Sequence, residues 1–304
     1  MKALLLTIYN KLYYVPKHIS DFFFGVINFF VKIFCSPPEV MGIDETMDYI
    51  IKNKTSVARF GDGEIKLANN TDISFQKASP ELASRMKEVL SADDDGFLPC
   101  ILSFFDYDPQ LTQGTNDHWK KHMNRYRHVW YRNTKTEIRY GHSFISRFYI
   151  EIEDKSTAAN RFEKLKQFWE GRDIIIVEGE KSRLGVGNDL FDNVKSIKRI
   201  LCPVDNAYSK YNEILEASKR NAFEGALFIL AVGPTATVLA YDLFKSGFQA
   251  IDIGHADIEY EWFKAGATEK QPVKNKYVNE AGAGKGVANL ADQHYLNEII
   301  EVIK

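Results

Sequence analysis

Cysteine is scarce in this sequence of 304 residues. Its three cysteines, Cys35, Cys100 and Cys202, are far apart and form no C-x-x-C pair. The sequence therefore indicates neither a disulfide framework nor a cysteine-based zinc site. Such sparse cysteine usage is typical of a reducing compartment, and we predict a cytoplasmic protein.

A strong charge of one sign is also missing, because the formal net charge is -2 and the pI is near 6.4. These values exclude a general polyanion binder, so we expect no nucleic-acid partner, although a local basic pocket for a phosphorylated small molecule remains compatible with them. The composition is 45% hydrophobic and 13% aromatic, which is enough to bury a large core and argues against disorder.

Long hydrophobic runs are absent too. Residues 1–37 come nearest, but Pro16, Asn28 and Lys32 interrupt them before they reach the ~18 apolar residues that cross a bilayer. No small-residue cleavage site precedes Pro37, so a signal peptide is not indicated. Clustered aromatics between lysines predict an amphipathic helical segment lying on an anionic membrane surface. A helix packed against its own domain or a partner chain is the alternative.

The rest of the chain alternates helix and strand patterns. Helices are predicted at 44–52, 79–90, 116–131, 156–170, 207–220, 235–246 and 288–303, and strands at 55–60, 97–105, 173–177, 197–202, 226–232 and 248–253. Short β-branched runs between helices are typical of parallel sheets covered on both faces. We therefore predict a Rossmann-like α/β domain over residues 38–280, with a largely parallel sheet flanked by helices, followed by a C-terminal helix within 281–304.

A glycine-flanked pair of carboxylates follows the first predicted core strand. Gly61 and Gly63 allow a tight turn, so Asp62 and Glu64 should lie together on a strand-end loop. Carboxylate oxygens suit a hard divalent cation such as Mn²⁺ or Mg²⁺, and Arg59 just upstream could meet its anionic ligand. The alternative is a polar turn whose aspartate caps the next element.

The loop over residues 178–189 follows another strand and combines glycines, cations and hydrogen-bond donors. It lacks the G-K-[ST] ending of a Walker loop and the third glycine of the dinucleotide fingerprint. Its composition nevertheless suits a bent loop around a nucleotide diphosphate, and an ordinary strand-to-helix connection is the alternative. Asp205 and Asn206, after the next strand, could accept hydrogen bonds from a ribose or base. The candidate nucleotide-binding residues are therefore Glu180, Lys181, Arg183, Gly185, Gly187, Asn188, Asp205 and Asn206.

The last predicted strand also leads into polar residues. Gly254 lets the chain turn and brings His255 and Asp257 to the same sheet edge as the other loops. An imidazole beside carboxylates can ligate a metal or accept a proton, and these two residues are the candidate catalytic groups. The basic, glycine-containing stretch 270–286 either closes over phosphates or is a solvated linker.

Three ordered blocks, Arg59–Glu64, Val177–Asp189 and Asp252–Trp262, together resemble the bacterial GT-D fold glycosyltransferases over roughly residues 40–280. The resemblance implies a metal-dependent enzyme that transfers a sugar from a nucleotide-diphosphate donor such as a UDP-sugar. The acceptor would be a lipid-linked or protein-linked glycan in surface polysaccharide or glycoprotein synthesis. The family's D-x-E motif is matched by Asp62-Gly63-Glu64, the candidate metal ligands.

Two other functions remain open at this point. A metal-dependent phosphoesterase would use the same acidic and histidine residues with water as acceptor. A non-catalytic partner in a polysaccharide assembly complex would instead use the aromatic segment 1–37 as its working surface, on the inner face of the bacterial membrane.

Overall fold

The computed structural model describes residues 8, 17–103, 107–278, 280–281, 287–288 and 291–304, with backbone only for 17–21. Most of the first sixteen residues, the end of the strand predicted at 97–105 and Lys285 of the basic stretch therefore lie outside the described residues. The predicted boundaries at residues 37 and 280 stay predictions.

The described residues form a nine-stranded sheet in the order β1-β4-β3-β2-β8-β7-β5-β6-β9, and all neighbouring strands run parallel. Its strands are β1 (Glu39–Val40), β2 (Ser56–Arg59), β3 (Phe97–Ile101), β4 (Arg139–His142), β5 (Asp173–Gly179), β6 (Ser196–Cys202), β7 (Leu227–Ala231), β8 (Gln249–Asp252) and β9 (Ile299–Val302). This sheet confirms the predicted Rossmann-like parallel architecture.

Helices connect the strands and cover the sheet. They are α1 (Lys17–Phe34), α2 (Ile43–Asn53), α3 (Asp62–Ala68), α4 (Pro80–Leu90), α5 (Gln113–Asn133), α6 (Ala158–Lys166), α7 (Tyr211–Asn221), α8 (Thr235–Lys245), α9 (Ala256–Lys264) and α10 (Gln293–Glu298). In β5 six consecutive residues, from Ile174 to Gly179, are buried. Because successive strand residues point to opposite faces, both faces of the central sheet must be covered.

Local sequence explains where several elements begin. Ser79 caps α4 by accepting a hydrogen bond from the backbone N–H of Leu82 at 3.1 Å, and Pro80 occupies the first helical turn. α5 begins after Thr112, whose hydroxyl accepts from the backbone N–H of Thr115 at 3.3 Å. These caps satisfy donors that have no partner inside a helix.

The helix predicted at 288–303 is wrong over its last part. α10 ends at Glu298, and Ile299–Val302 continues as β9 along the free edge of β6. The apolar pattern of this stretch fits either structure, and the open hydrogen-bonding edge of β6 decides for a strand. The pattern also missed β1, β4, α3 and α9, which are short and follow turns or loops.

The centre of the sheet is the point where two series of strands meet. From β2 the chain continues to β3 and β4 on one side, whereas β8 is reached from β7 on the other side. β2 and β8 are neighbours, with Val57 opposite Ile251. The loops beyond such a junction diverge and leave a crevice at the carboxyl ends of the strands, where ligands bind in open α/β sheets.

Gly141 in β4 tests the packing of this sheet. An added Cβ there would lie 2.4 Å from the Cys100 sulfur, 2.8 Å from Leu98 and 2.9 Å from Thr46. We expect Gly141→Ala to lower the free energy of unfolding by about 1–3 kcal/mol through overpacking. Gly25→Ala, where nothing lies within 4 Å, is the control and should be neutral or slightly stabilising. Denaturant unfolding measures both, and equal midpoints would contradict the packing described.

Candidate active site

A cleft of about 1090 Å³ opens at the carboxyl ends of the strands. The loops after β2, β4, β5, β6, β7 and β8 line it, together with one face of α5 and part of the segment 268–280. Of the predicted site residues, Arg59, Asp62, Glu64, His255 and Asp257 line this cleft. The structure thus brings together the first and last sequence motifs.

Arg59 joins the strands beneath the cleft. Its Nε donates to the carbonyl of Asp252 at 3.0 Å, and one terminal nitrogen pairs with the Asp252 carboxylate at 3.3 Å. The other terminal nitrogen donates to the Ser143 carbonyl at 3.3 Å. Burial raises the pKa of Asp252, and the Arg59 guanidinium counters that rise. Arg59 therefore positions three strand ends as well as lining the cleft.

Gly254 makes room for this guanidinium. Its φ is +45°, a left-handed conformation that favours glycine, and an added Cβ would lie 1.8 Å from a terminal nitrogen of Arg59. The turn that delivers His255 to the cleft therefore depends on a residue without a side chain.

Asp62 and Glu64 lie in the first turn of α3 rather than in a loop. Gly61 is the N-cap, and the Glu64 carboxylate accepts a hydrogen bond from its N–H at 2.8 Å. The Asp62 carboxylate pairs with Lys66 at 2.5 Å and lies 3.7 Å from His118 Nε2. The alternative predicted a cap by the aspartate, whereas the capping contact is made by Glu64, and both residues line the cleft.

The pKa values of the two carboxyl groups are shifted in opposite directions. Burial raises the pKa of Glu64 to about 7, and the neighbouring Asp252 and Asp62 carboxylates add to the rise. Burial also acts on Asp62, but Lys66, with help from His122 and His118, outweighs it, so its pKa is lowered. Negative charge around Glu64 is therefore not fully compensated by the protein.

These residues fit a divalent cation. No group of three or more His, Cys, Asp or Glu side chains that could hold a metal occurs among the described residues. Mg²⁺ is commonly held by one or two carboxylates with substrate phosphates and water as the other ligands. Asp62 and Glu64 supply two such carboxylates at the cleft, and a bound cation would favour the ionised form of Glu64, whose pKa is raised mainly by burial.

A network of charged residues forms another part of the cleft wall. Arg147 makes a bidentate pair with Glu280 at 2.6 and 2.9 Å and bonds Glu151 at 2.9 Å. Lys270 reaches Glu151 and Glu280, both at 2.7 Å. His255 Nε2 lies 3.6 Å from Glu280. This network ties the segment after α9 to the cleft and places an imidazole beside a carboxylate.

Asp257 has a different environment from His255. Its carboxylate is buried and receives Lys276 Nζ at 2.7 and 2.8 Å. It also accepts from the Gly185 N–H at 2.9 Å and from Asn188 at 2.8 Å. These contacts are those of a structural anchor, so the geometry favours His255 over Asp257 as a proton acceptor. The catalytic role predicted for each residue stays a prediction.

The loop over 178–189 reaches the cleft with residues other than the predicted ones. Gly179, Ser182 and Leu184 line the cleft. The predicted residues Gly185, Gly187 and Asn188 line a separate cavity of about 570 Å³ near α10. Their role in binding a nucleotide stays untested.

Three further predicted residues of that loop, Glu180, Lys181 and Arg183, make contacts outside the cleft. Arg183 is buried and donates to the carbonyls of Asn275 at 2.7 Å and Ala288 at 2.6 Å. Glu180 is exposed. The backbone carbonyl of Lys181 accepts a hydrogen bond from the Tyr277 N–H at 2.9 Å. None of the three lines the cleft. Lys181 and Arg183 connect the loop to the segment after α9, whereas the Glu180 N–H donates to the Cys202 carbonyl at 2.9 Å at the end of β6.

Asp205 and Asn206 also lie outside the cleft lining. Asp205 is exposed. The Asn206 side-chain oxygen accepts from Gln76 at 2.7 Å and from the Lys77 N–H at 3.1 Å, while its own N–H donates to the Phe75 carbonyl. Asn206 therefore holds the 71–78 loop, of which Thr71–Phe75 line the cleft.

Sequence reasoning missed several cleft residues. Lys66, Ser143, Arg147, Glu151, Lys270 and Glu280 all line the cleft. Of these, Lys270 and Glu280 fell in the segment 270–286, which the sequence had marked as a candidate for closing over phosphates, but neither was singled out as a site residue. Arg147 and Glu151 carry the i, i+4 spacing of an ion pair, but no motif distinguishes that spacing from a surface pair.

The cleft wall is acidic overall. Among the described residues that line it are eight carboxylates and four lysines or arginines. The carboxylates are Asp62, Glu64, Asp72, Glu151, Asp252, Asp257, Glu269 and Glu280, and the cations are Arg59, Lys66, Arg147 and Lys270. An anionic ligand entering this cleft needs a further positive charge.

The parallel sheet has an acidic, polar cleft at its carboxyl edge, where β2 and β8 meet. This arrangement is typical of α/β enzymes, which bind their ligands at this place in the sheet. The family model described as "Glycosyltransferase GT-D fold" matches residues 57–281. The chain belongs to this family, which confirms the resemblance predicted from the three sequence blocks.

Curated relatives agree with this assignment. The chain is 41% identical over 263 residues to "Glycosyltransferase GlyD" of Streptococcus pneumoniae serotype 4 (strain ATCC BAA-334 / TIGR4), covering 86% of this chain and 32% of that protein. It is 40% identical over 262 residues to "Probable glycosyl transferase Gly" of Streptococcus gordonii, covering 86% and 38%. The chain thus spans about a third of the length of these relatives.

Solved structures match over nearly their whole length. One, described as "The highly conserved domain of unknown function 1792 has a distinct glycosyltransferase fold", has a TM-score of 0.83 and 41% identity, covering 88% of this chain and 96% of that one. Another, "A New Glycosyltransferase (DUF1792) from Streptococcus sanguinis", has a TM-score of 0.83 and 38% identity, covering 88% and 100%.

Gly254→Ala should disturb the Arg59 contact. We expect a loss of about 1–3 kcal/mol in unfolding free energy beyond that of Gly247→Ala. Gly247 also has a left-handed φ, +89°, but nothing lies within 4 Å of an added Cβ, so the control isolates the clash from the backbone strain. Thermal unfolding of both variants tests this, and equal losses would show that Arg59 moves aside freely.

Glu259 on α9 generates a prediction about pH. Its buried carboxylate accepts from the N–H groups of Tyr149 and Ile150, both at 3.0 Å, and its other oxygen has no partner. Burial raises its pKa from 4.5 to about 7, although Arg147 opposes the rise. Between these values the folded protein binds more protons than the unfolded chain, so stability falls as the pH rises through this window.

We expect Glu259→Gln to flatten the fall in melting temperature between pH 4.5 and about 7. Part of the slope should remain, because Glu64 also has a raised pKa. Glu269→Gln, at an exposed carboxylate, is the control and should keep the wild-type slope. A Glu259→Gln protein with the full wild-type pH dependence would contradict the raised pKa.

Proposed function

We propose that this chain is a divalent-metal-dependent glycosyltransferase that moves a sugar from a nucleotide-diphosphate donor, a UDP-sugar in the simplest case, to a glycan acceptor. The observation that carries the proposal is the acidic cleft, which Asp62 and Glu64 both line from the first turn of α3. A diphosphate is itself anionic, so it would bind beside eight carboxylates only with a cation between them.

Asp62 and Glu64 are the residues that would hold Mn²⁺ or Mg²⁺. Such an ion supplies Lewis-acid stabilisation of the charge that develops on the departing diphosphate. The Glu64 carboxylate is oriented by the Gly61 N–H, and the position of α3 at the end of β2 keeps both carboxylates at the crevice. Carboxylates fixed in this way need little rearrangement when the charge develops.

Other cleft residues would bind and orient the substrates. Arg147 and Lys270 line the cleft, and in this proposal they share their charge between the anionic donor and the carboxylates of Glu151 and Glu280. His255, beside Glu280 at 3.6 Å, is the candidate to accept the proton of the acceptor hydroxyl. Arg59 acts by orienting the strand ends that carry Asp62 and His255.

Support for transfer rather than hydrolysis comes from the family and from the ligand count. Two-metal phosphoesterases need more ligands than the described residues gather at one point. We further propose that the acceptor is a lipid-linked or protein-linked glycan of bacterial surface polysaccharide or glycoprotein synthesis. In this proposal the enzyme is cytoplasmic and contacts the membrane surface through the N-terminal segment.

The metal ligands can be tested by donor binding. We expect Mn²⁺ to raise the melting temperature of the protein in the presence of UDP, and UDP without metal to have little effect. In Asp62→Asn and Glu64→Gln this metal-dependent shift should disappear, and UDP-sugar turnover should fall by about a hundredfold or more.

Asp72→Asn is the matched control, because Asp72 is a cleft carboxylate that pairs with Lys77 at 2.9 Å on the rim. It should keep both the shift and the turnover. A wild-type response in Asp62→Asn and Glu64→Gln would remove the assignment of the metal to these residues.

A further inference from the structure

The solvent side of α1 is an apolar surface, which we call the α1 face. Phe22, Phe29 and Ile33 have 70%, 62% and 58% of their surface exposed. The full set of large exposed apolar residues on this face is Phe22, Phe23, Val26, Phe29, Phe30, Ile33 and Phe34. Single exposed apolar side chains are ordinary, but seven on one helix mark a surface that binds something.

The opposite side of α1 is already packed. Phe24, Ile27 and Val31 are buried in the core. Asn28 donates to the backbone carbonyl and side-chain oxygen of Asn124 on α5, both at 3.0 Å. α1 is therefore fixed to the domain along one side, so the α1 face is the side left for a partner.

The charge around the α1 face is positive, although the whole chain has a net charge of -2. Between Phe22 and Pro38 the only ionisable acid or base apart from Cys35 is Lys32. On α5 the lysines and arginines that are not buried are Lys120, Lys121, Arg125 and Arg132, against one aspartate, Asp117. Its exposed Lys120 and Lys121 lie one helical turn before Asn124 and therefore flank α1.

An apolar aromatic helix face bordered by lysines complements an anionic bilayer. The aromatic side chains can enter the boundary between headgroups and acyl chains, and the ammonium groups can meet the phosphates. Within the described residues, no helix is both long enough and apolar enough to span a bilayer. We infer that the α1 face docks flat on a membrane surface that contains anionic lipids.

Docking through α1 would also orient the cleft. α5 carries α1 on one side, and Thr115, Trp119 and Tyr126 of the same helix line the cleft. The α5 wall of the cleft is therefore the wall next to the membrane. This step rests on the proposed transferase function, and it selects a lipid-linked glycan, presented at the membrane surface, as the acceptor class.

The test uses the full chain and unilamellar vesicles. The wild-type protein should co-sediment with vesicles of phosphatidylcholine and phosphatidylglycerol, and much less with phosphatidylcholine alone. Phe29→Glu/Ile33→Glu should reduce the partition coefficient by roughly a hundredfold, because each inserted apolar side chain contributes roughly tenfold. Lys120→Glu/Lys121→Glu should remove the preference for anionic vesicles, since each lysine near the surface contributes roughly fivefold.

The matched control is Tyr49→Glu/Leu296→Glu, two residues on α2 and α10 that are each 42% exposed. This variant should bind vesicles like the wild type. All variants change exposed side chains and should keep the wild-type melting temperature. The inference would be overturned if the wild-type protein did not bind anionic vesicles, or if Phe29→Glu/Ile33→Glu bound them as strongly as the wild type.

Two further measurements separate the alternatives. Sedimentation velocity tests whether the α1 face joins two copies of the chain. Membrane docking would also be overturned if the wild-type protein were a dimer that does not bind vesicles and if Phe29→Glu/Ile33→Glu dissociated that dimer. Metal-dependent UDP binding should be unchanged in this variant. If UDP binding fails in the wild type while vesicle binding holds, the proposed function is wrong and the docking surface stands.

Discussion

The pair between Arg59 and Asp252 is the contact on which the rest of the site depends. It lies where β2 and β8 meet, with side chains only 13% and 6% exposed. A charge in such a place is costly without its partner, so each residue requires the other. The chain continues from Arg59 to the D-x-E carboxylates and from Asp252 to His255. One ion pair therefore sets the relative position of both halves of the candidate active site.

Around that pair, the cationic side chains form ion pairs with carboxylates of the same protein. Lys66, Arg147, Lys270 and Lys276 each meet at least one carboxylate. The carboxylates still outnumber the cations along the cleft. Under the proposed function this imbalance gives the D-x-E motif a physical reason, because such a site would attract a cation first and an anionic nucleotide only together with it. At Glu64, burial raises the pKa to about 7, and the carboxylates of Asp252 and Asp62 add to the rise.

The sequence predicted the sheet well because its strands are buried, β-branched runs with strong signals. The strands from β5 to β8 fall close to their predicted positions, and Asp62, Glu64 and His255 line the cleft because they follow strand ends. β9 was missed because a free sheet edge, not a local preference, makes it a strand. Arg147 and Glu280 carried no motif, and their meeting in the fold joins distant parts of the chain. Likewise, composition favoured Arg183 as a phosphate ligand, and only the fold shows that its guanidinium holds backbone carbonyls.

The junction of β2 and β8 also bears on how the chain acquires its structure. Ser56 and Ala250, which meet there, are separated by 194 residues. Closing so large a loop costs chain entropy before any contact compensates for it, so such pairings tend to form late and slowly. The segment from β5 to β8 is local enough to assemble earlier. The crevice would then form in the last long-range step of folding. A partly folded molecule would have the part of the sheet from β5 to β8 but no candidate active site.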